Sequence, residues 1–312
     1  MRCPAPRPSV LAAVALATSL LGPARARAAT CCGTGHGLGE RLGPSERAVA
    51  SVALRASDRF GAWTSQRDIV TRAASDHDRE LGLELGWVAR VGRRVQLGVA
   101  VPFLATWKAL GGTSSSGGGV GDVTASGRLE ILDEGAAPWA PSVAVTFAAG
   151  LPTGRPSPLS RDPLGADVTG LGAAALRPGL GVEKSWDSGL YATASASIAF
   201  RTAFHAASGA EVHLAPRLSL LAAAGPFWAS GLSLAIGALH EREAAPSLDG
   251  QRAPDADRER TALLASGAYD VTRRWTAFAS LQLDLPIAGL GRNEVAAIAP
   301  YAGIRHVWGT YD

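Results

Sequence analysis

The chain has 312 residues, 47% hydrophobic and only 18% charged, with a net charge of +3 and a pI near 9.0. That apolar content excludes a disordered chain, and the scattered arginines, with Lys108 and Lys184 as the only lysines, form no basic strip of the kind that binds nucleic acid. The 37 glycines favour tight turns, and a length above ~200 residues suits one large all-β unit.

The N-terminus reads as an export signal. Arg2 and Arg7 precede an apolar run from Val10 to Leu21, and Pro23 and the small-residue string Ala24-Arg25-Ala26-Arg27-Ala28-Ala29 follow. This is the layout of a secretory signal peptide, with cleavage expected after Ala28 or Ala29. The apolar run is shorter than the ~20 residues a helical span needs. The expected division is a signal peptide over 1–28, a periplasmic N-terminal tail over 29–44 and a membrane unit over 45–312. Cys3 leaves with the signal, so Cys31 and Cys32 provide no disulfide framework. Cys31-Cys32-Gly33-Thr34-Gly35-His36-Gly37 offers three soft ligands on a glycine-rich tail but lacks C-x-x-C spacing, and no metal or cofactor is expected.

Beyond the signal no stretch is apolar enough for a helical span, but period-two alternation recurs throughout. In the last third, Trp275, Ala277, Ala279, Leu281, Leu283 and Leu285 oppose Thr276, Phe278, Ser280, Gln282 and Asp284. Upstream, Leu81, Leu83, Leu85, Trp87 and Val91 oppose Glu80, Glu84 and Arg90. Successive strand side chains point to opposite faces, so one face is apolar and the other polar. The pattern predicts twelve strands, near 46–56, 79–91, 94–106, 121–132, 141–151, 170–185, 189–202, 210–223, 230–241, 260–271, 274–286 and 294–308. They exceed the ~5–6 residues typical of soluble sheets and match a tilted strand of about 9–11 residues crossing a bilayer. Short and long connections alternate strictly, as the periplasmic turns and external loops of outer-membrane barrels do. The runs Gly111-Gly112 and Gly117-Gly118-Gly119 lack the Lys-Ser/Thr of a phosphate loop and are expected in a mobile external loop. The expected fold is therefore all-β: a transmembrane up-and-down antiparallel β-barrel of about twelve strands in the bacterial outer membrane. A soluble sandwich also alternates; strand length, loop asymmetry and the export signal separate the two.

Trp87, Trp139, Trp186, Trp228, Trp275 and Trp308 fall at or beside the short-turn end and are expected to form a periplasmic aromatic girdle. The polar face is expected to line the lumen with Arg55, Arg90, Arg128, Arg177, Arg201, Arg217 and Arg305 and with Glu80, Glu84, Glu130, Glu183, Glu211, Asp270 and Asp284. A single-sign ring would select ions; a balanced set predicts paired ladders filling a narrow lumen. Glu80 and Glu84, four strand residues apart at ~3.3 Å each, do not make a close carboxylate pair. Neither His205 with Ser208 nor His240 with Ser247 has a diagnostic catalytic spacing, and no G-x-S-x-G elbow is present.

Val101-Pro102-Phe103 closes one predicted strand, Gly119-Val120-Gly121-Asp122 opens the next, and Leu151-Pro152-Thr153-Gly154 enters the following external loop. This order, over roughly residues 80–185, resembles the outer-membrane barrels of the meta-pathway phenol-degradation or transporter family. The resemblance implies passage of small, often hydrophobic or aromatic, compounds across the outer membrane and implies no catalytic residues. The expected function is a passive channel, with membrane lipid and a small solute as partners. A structural or surface-displaying barrel with a filled lumen and an outer-membrane lipid hydrolase are the alternatives.

Overall fold

The computed structural model describes residues 41–43, 45–134, 139–206 and 208–309; the export signal, Cys31-Cys32 and residues 29–40 of the tail lie outside them. Twelve long strands make the wall: β1 (Ala48–Trp63), β2 (His77–Val91), β3 (Val95–Leu110), β4 (Val123–Leu132), β5 (Ser142–Leu151), β6 (Ala175–Trp186), β7 (Leu190–Arg201), β8 (Arg217–Pro226), β9 (Leu232–Glu243), β10 (Arg258–Asp270), β11 (Trp275–Asp284) and β12 (Val295–Trp308). Each pairs antiparallel with its sequence neighbours, and β12 pairs with β1 from Trp308↔Ala48 to Val295↔Ala62. The sheet closes into a twelve-stranded barrel, with no α-helix among the described residues.

The alternation sorts side chains between the two faces of the wall. Val52, Leu54, Leu85, Val99, Phe147, Leu180, Ile198, Leu220, Leu234, Leu263, Leu281 and Ile304 are exposed on the outer face. Ser51, Gln96, Thr146, Ser197, Thr276 and Arg305 are buried on the inner face. Short connections (92–94, 133–141, 187–189, 227–231 and 271–274) stand at one end and long ones at the other.

The long connections carry structure of their own. Phe204–His205, Glu211–His213, Ser247–Leu248 and Gln251–Arg252 form a separate four-stranded sheet. The expected strand over 210–223 thus divides: Pro216, which has no N–H to donate, separates Glu211–His213 from β8. β1 continues to Trp63 although its apolar signal fades after Leu54, where the outward positions become Ala56 and Asp58. The glycine-rich segment is not an irregular loop. Thr113–Val120 folds back on β3 as a regular hairpin. Gly111 and Gly112 turn the chain at φ 57° and 83°, a region costly for other residues, and a Cβ on Gly118 would strike the Leu104 carbonyl oxygen.

The motifs at the β3, β4 and β5 ends meet in space. Asp122 accepts the Gly154 N–H (2.9 Å) and the Leu171 N–H (2.8 Å). The Thr153 hydroxyl donates to Gly121 O (2.8 Å) and accepts the Val123 N–H (2.9 Å). Thr169 donates to Val120 O (2.7 Å) and accepts the Arg155 N–H (2.9 Å). The connection from β5 to β6 is thereby tied to the β3–β4 rim. Replacing Asp122 by Ala strands two backbone donors at a cost of about 1–3 kcal/mol. We expect a lower temperature of heat modification on denaturing gels and new protease cleavage within residues 152–174. An unaltered cleavage pattern would show that these bonds do not hold the loop.

Candidate functional site

The candidate site is the lumen, and the strand register explains its layers. Toward the long loops, Arg217 on β8 stands opposite Glu243 on β9, and Glu241 on β9 opposite Arg260 on β10. Arg217 reaches Glu241 at 2.9 Å and Glu294 at 3.1 Å, Arg201 reaches Glu243 at 3.0 Å, and Arg260 lies 3.8 Å from Asp284. A second cluster lies on β1 and β2. Arg55 meets Glu80 (2.6 Å), and Arg59 meets both Asp78 and Glu80 (2.8 Å each). In this second cluster the carboxylates lie directly or diagonally across the β1–β2 ladder from the guanidinium groups, the pairing that stabilises neighbouring strands.

The short-turn end is built differently. The segment before β1 enters the lumen. Leu42 is 0% exposed, packed with Val49, Val88 and Val307. Its N–H donates to Gln96 Oε1 (2.9 Å), Arg90 donates to Gly43 O (2.9 Å), and Arg305 donates to Arg41 O (3.3 Å). Arg41 forms an ion pair with Glu183 on β6, five strands around the ring from β1. The backbone of residues 41–43 thus lies against β12, β2 and β3, and the Arg41 side chain reaches toward the far wall. Arg128 adds contacts to Glu130 (3.8 Å) and Glu183 (3.5 Å), and Arg90 to Glu130 (3.4 Å). The remaining arc holds an apolar cluster of Tyr191, Phe278 and Tyr301 over Ala53, Ala223, Ala235 and Ala268. Phe278 and Tyr301 stack at 5.6 Å, and Tyr301 donates to Glu84 (3.2 Å).

Of the fourteen lumen residues expected from sequence, thirteen stand on the inner face of barrel strands. Asp270 sits at its lower rim, accepting from Thr276 (2.7 Å), and Arg177 faces inward on β6. Glu211 is the correction: it lies in the small external sheet, half exposed beside His213. The alternation also reached too few residues. Arg59, Asp78, Glu241, Glu243, Arg260 and Glu294 complete the charge pairs. Glu241, Arg260 and Glu294 are the end residues of strands expected over 230–241, 260–271 and 294–308; Arg59 and Glu243 lie three and two residues past expected strand ends, and Asp78 one residue before the start expected for β2. Nothing in the sequence marks Leu42 as a lumen residue, because all its partners but Val49 lie 46 or more positions away. The six expected girdle tryptophans are all exposed at the short-turn end, Trp139 to 80%.

His240 Nδ1 lies 3.0 Å from the Thr261 hydroxyl on the outer face, not beside Ser247. Among the described residues no group of three His, Cys, Asp or Glu could hold a metal ion. The lumen's chemistry is that of paired charges: many hydrogen-bonding edges, with most guanidinium groups beside a carboxylate. Glu243 shows the constraint most sharply, 1% exposed between Arg201 and Arg217. Glu243→Ala would leave two guanidinium groups facing each other, a loss of about 3–5 kcal/mol. A chemical-denaturation midpoint equal to wild type would show that the cluster is not load-sharing.

The β5–β6 connection lies against the inward face of the β3 hairpin, where Lys108 donates to Leu164 O and Gly165 O (3.2 Å each). The Asp167 carboxyl is held well below the usual carboxylate range by the Ser160 hydroxyl, the Arg161 N–H and Arg155. Asp162 is lowered by the Ala166 N–H, the Ser115 hydroxyl and the Leu164 N–H. A depressed folded value means stabilisation that is complete above the ordinary carboxylate pKa and is lost as pH falls through the folded one. Protection of residues 152–174 from protease should therefore hold from neutrality down to about pH 4 and fail only below it. Asp167→Asn should remove that protection at neutral pH as well; equal protection in the variant would sink this account.

A family model described as "Putative MetA-pathway of phenol degradation" matches residues 70–297. The fold is similar to an outer-membrane channel of Pseudomonas putida F1, with a TM-score of 0.72 and 18% identity over 86% of this chain and 97% of that one. It is also similar to the β-domain of the Bordetella autotransporter Brka, with a TM-score of 0.50 and 13% identity over 84% and 100%. At these identities the likeness is one of fold. No curated protein matches the sequence.

Proposed function

The chain belongs to the family of the MetA pathway of phenol degradation, and from that premise we propose that it is a passive channel of the bacterial outer membrane for small hydrophobic or aromatic molecules. The observation that carries this reading is a closed barrel with an apolar outer wall and a polar, internally neutralised inner one. Closed sheets are one of the two structures that satisfy all backbone groups in hydrocarbon. The Pseudomonas putida relative is itself an outer-membrane channel. Export through a signal over 1–28, followed by a periplasmic tail, fits the short-turn end as the periplasmic one.

Inside, neutralised pairs favour neither cations nor anions, and the stacked Phe278 and Tyr301 offer flat faces to an uncharged ring. The segment through Leu42 occupies part of the short-turn mouth and narrows passage toward the periplasm. That same narrowing favours the second reading, a structural barrel with a filled lumen.

Solute uptake into liposomes, with phenol as a neutral aromatic probe, separates the two. Wild type should admit it. Arg41→Ala with Leu42→Gly, which loosens the segment at both anchors, should raise the rate about tenfold, the factor that 1.4 kcal/mol of lost anchoring confers. Uptake by the double variant alone would favour the filled-lumen reading. No uptake by either protein would end the channel proposal.

A further inference from the structure

The short-turn rim is electrically two-sided. On the arc from β10 through β12 and β1 to β3, the turns carry Arg273 and Arg274 (between β10 and β11) and Arg93 and Arg94 (between β2 and β3). Arg47, whose side-chain stem lies along Gly309, stands between them at the start of β1. On the arc from β4 to β7 the described turn residues carry Asp133, Glu134 and Asp187 instead, and Lys184 there is engaged by Glu134 at 3.6 Å. Nothing in the lumen requires this separation.

Most arginines among the described residues face a carboxylate. Arg93, Arg94, Arg273 and Arg274 are exposed and have no carboxylate within ion-pair distance among the described residues. Three of the six girdle tryptophans, Trp87, Trp275 and Trp308, lie on the basic arc. His306 on the outer face of β12 lies edge-on between Trp275 and Trp308, with ring centroids 4.6 and 4.4 Å away. Its Nδ1 is buried with no hydrogen-bond partner among the described residues. Trp87 continues the belt across β1 on β2. From β11 to β2 is three strand spacings, a chord of about 15 Å at ~4.8 Å each.

We propose that this arc is a binding site for anionic glycerophospholipid of the periplasmic leaflet, of the phosphatidylglycerol or cardiolipin type. Tryptophan rings settle at headgroup depth, which places the four guanidinium groups at the level of the phosphates. A guanidinium binds phosphate oxygens bidentately, and a cluster of basic residues beside the bilayer attracts anionic lipid. The acidic arc repels the same headgroups, so the lipid contacts one side of the barrel. This inference rests on the outer-membrane part of the proposed function and does not need the lumen to conduct.

The test uses the mature chain extracted from the outer membrane, incubated with equal amounts of phosphatidylglycerol and phosphatidylethanolamine and read by native mass spectrometry. Wild type should retain phosphatidylglycerol over phosphatidylethanolamine about tenfold, with the preference falling as salt screens it. R93Q/R94Q/R273Q/R274Q should lose the preference while keeping its heat modification, and each double variant should lose part of it. The control D133N/D187N should keep it. Equal retention of the two lipids by wild type, or an undiminished preference in a folded quadruple variant, overturns the proposal. So does capture of an acidic periplasmic protein by the arc in place of lipid. Failure of the chain to fractionate with the outer membrane would overturn the membrane reading itself. A barrel that takes up no phenol yet keeps its lipid preference would overturn only the channel.

Discussion

Closure of the sheet is the constraint on which the rest depends. A strand end-to-end unpaired on one side presents a row of backbone donors and acceptors that hydrocarbon cannot satisfy, each at a cost of several kcal/mol. The β1–β12 ladder removes that edge. Once the ring is closed, each side chain has only two directions. Leu54, Leu85 and Ile304 go outward into an apolar band, and Arg55, Glu84 and Arg305 go inward. The turns must then alternate between two ends, and those ends become chemically different places.

A ring of twelve strands encloses too little space for charges to remain individually solvated, and burying a lone charge is costly. The interior answers with pairs. Glu241 is shared by Arg217 and Arg260, and Glu243 by Arg201 and Arg217. Such sharing makes the wall stiff, since moving one side chain strands several partners. The mouth near the short turns uses the same chemistry to hold a piece of chain: Arg90, Gln96 and Arg305 satisfy the backbone of Arg41–Gly43, while Leu42 occupies an apolar notch. At the opposite end Asp122, Thr153 and Thr169 tie a long connection to the rim through backbone groups. The motifs around Asp122 and Thr153, some thirty residues apart, are one hydrogen-bonded unit.

The strands were legible because period two is local: outward leucines beside inward polar residues identify a face without knowledge of any partner. Legibility faded where that contrast faded. Beyond Leu54 the outward residues turn small and polar, so Arg59 stayed hidden although its partner Glu80 did not. Glu211 keeps the alternation of a barrel strand, but Pro216 interrupts the ladder and leaves it in the external sheet. The glycine run at 111–119 suggests freedom by composition; packing against β3 uses that lack of side chains for close approach instead.

By itself the sequence determined the strand number, the inward and outward faces, the alternation of short and long connections and the balance of charge in the lumen, because each follows from residue type and a repeat of two. Only the tertiary structure decided which charges meet, that the segment through Leu42 enters the lumen, and that the arginines of two distant turns share one arc of the rim. Those facts depend on the register between strands and on ring closure, which bring together residues 19 to more than 200 positions apart and leave no trace in local periodicity.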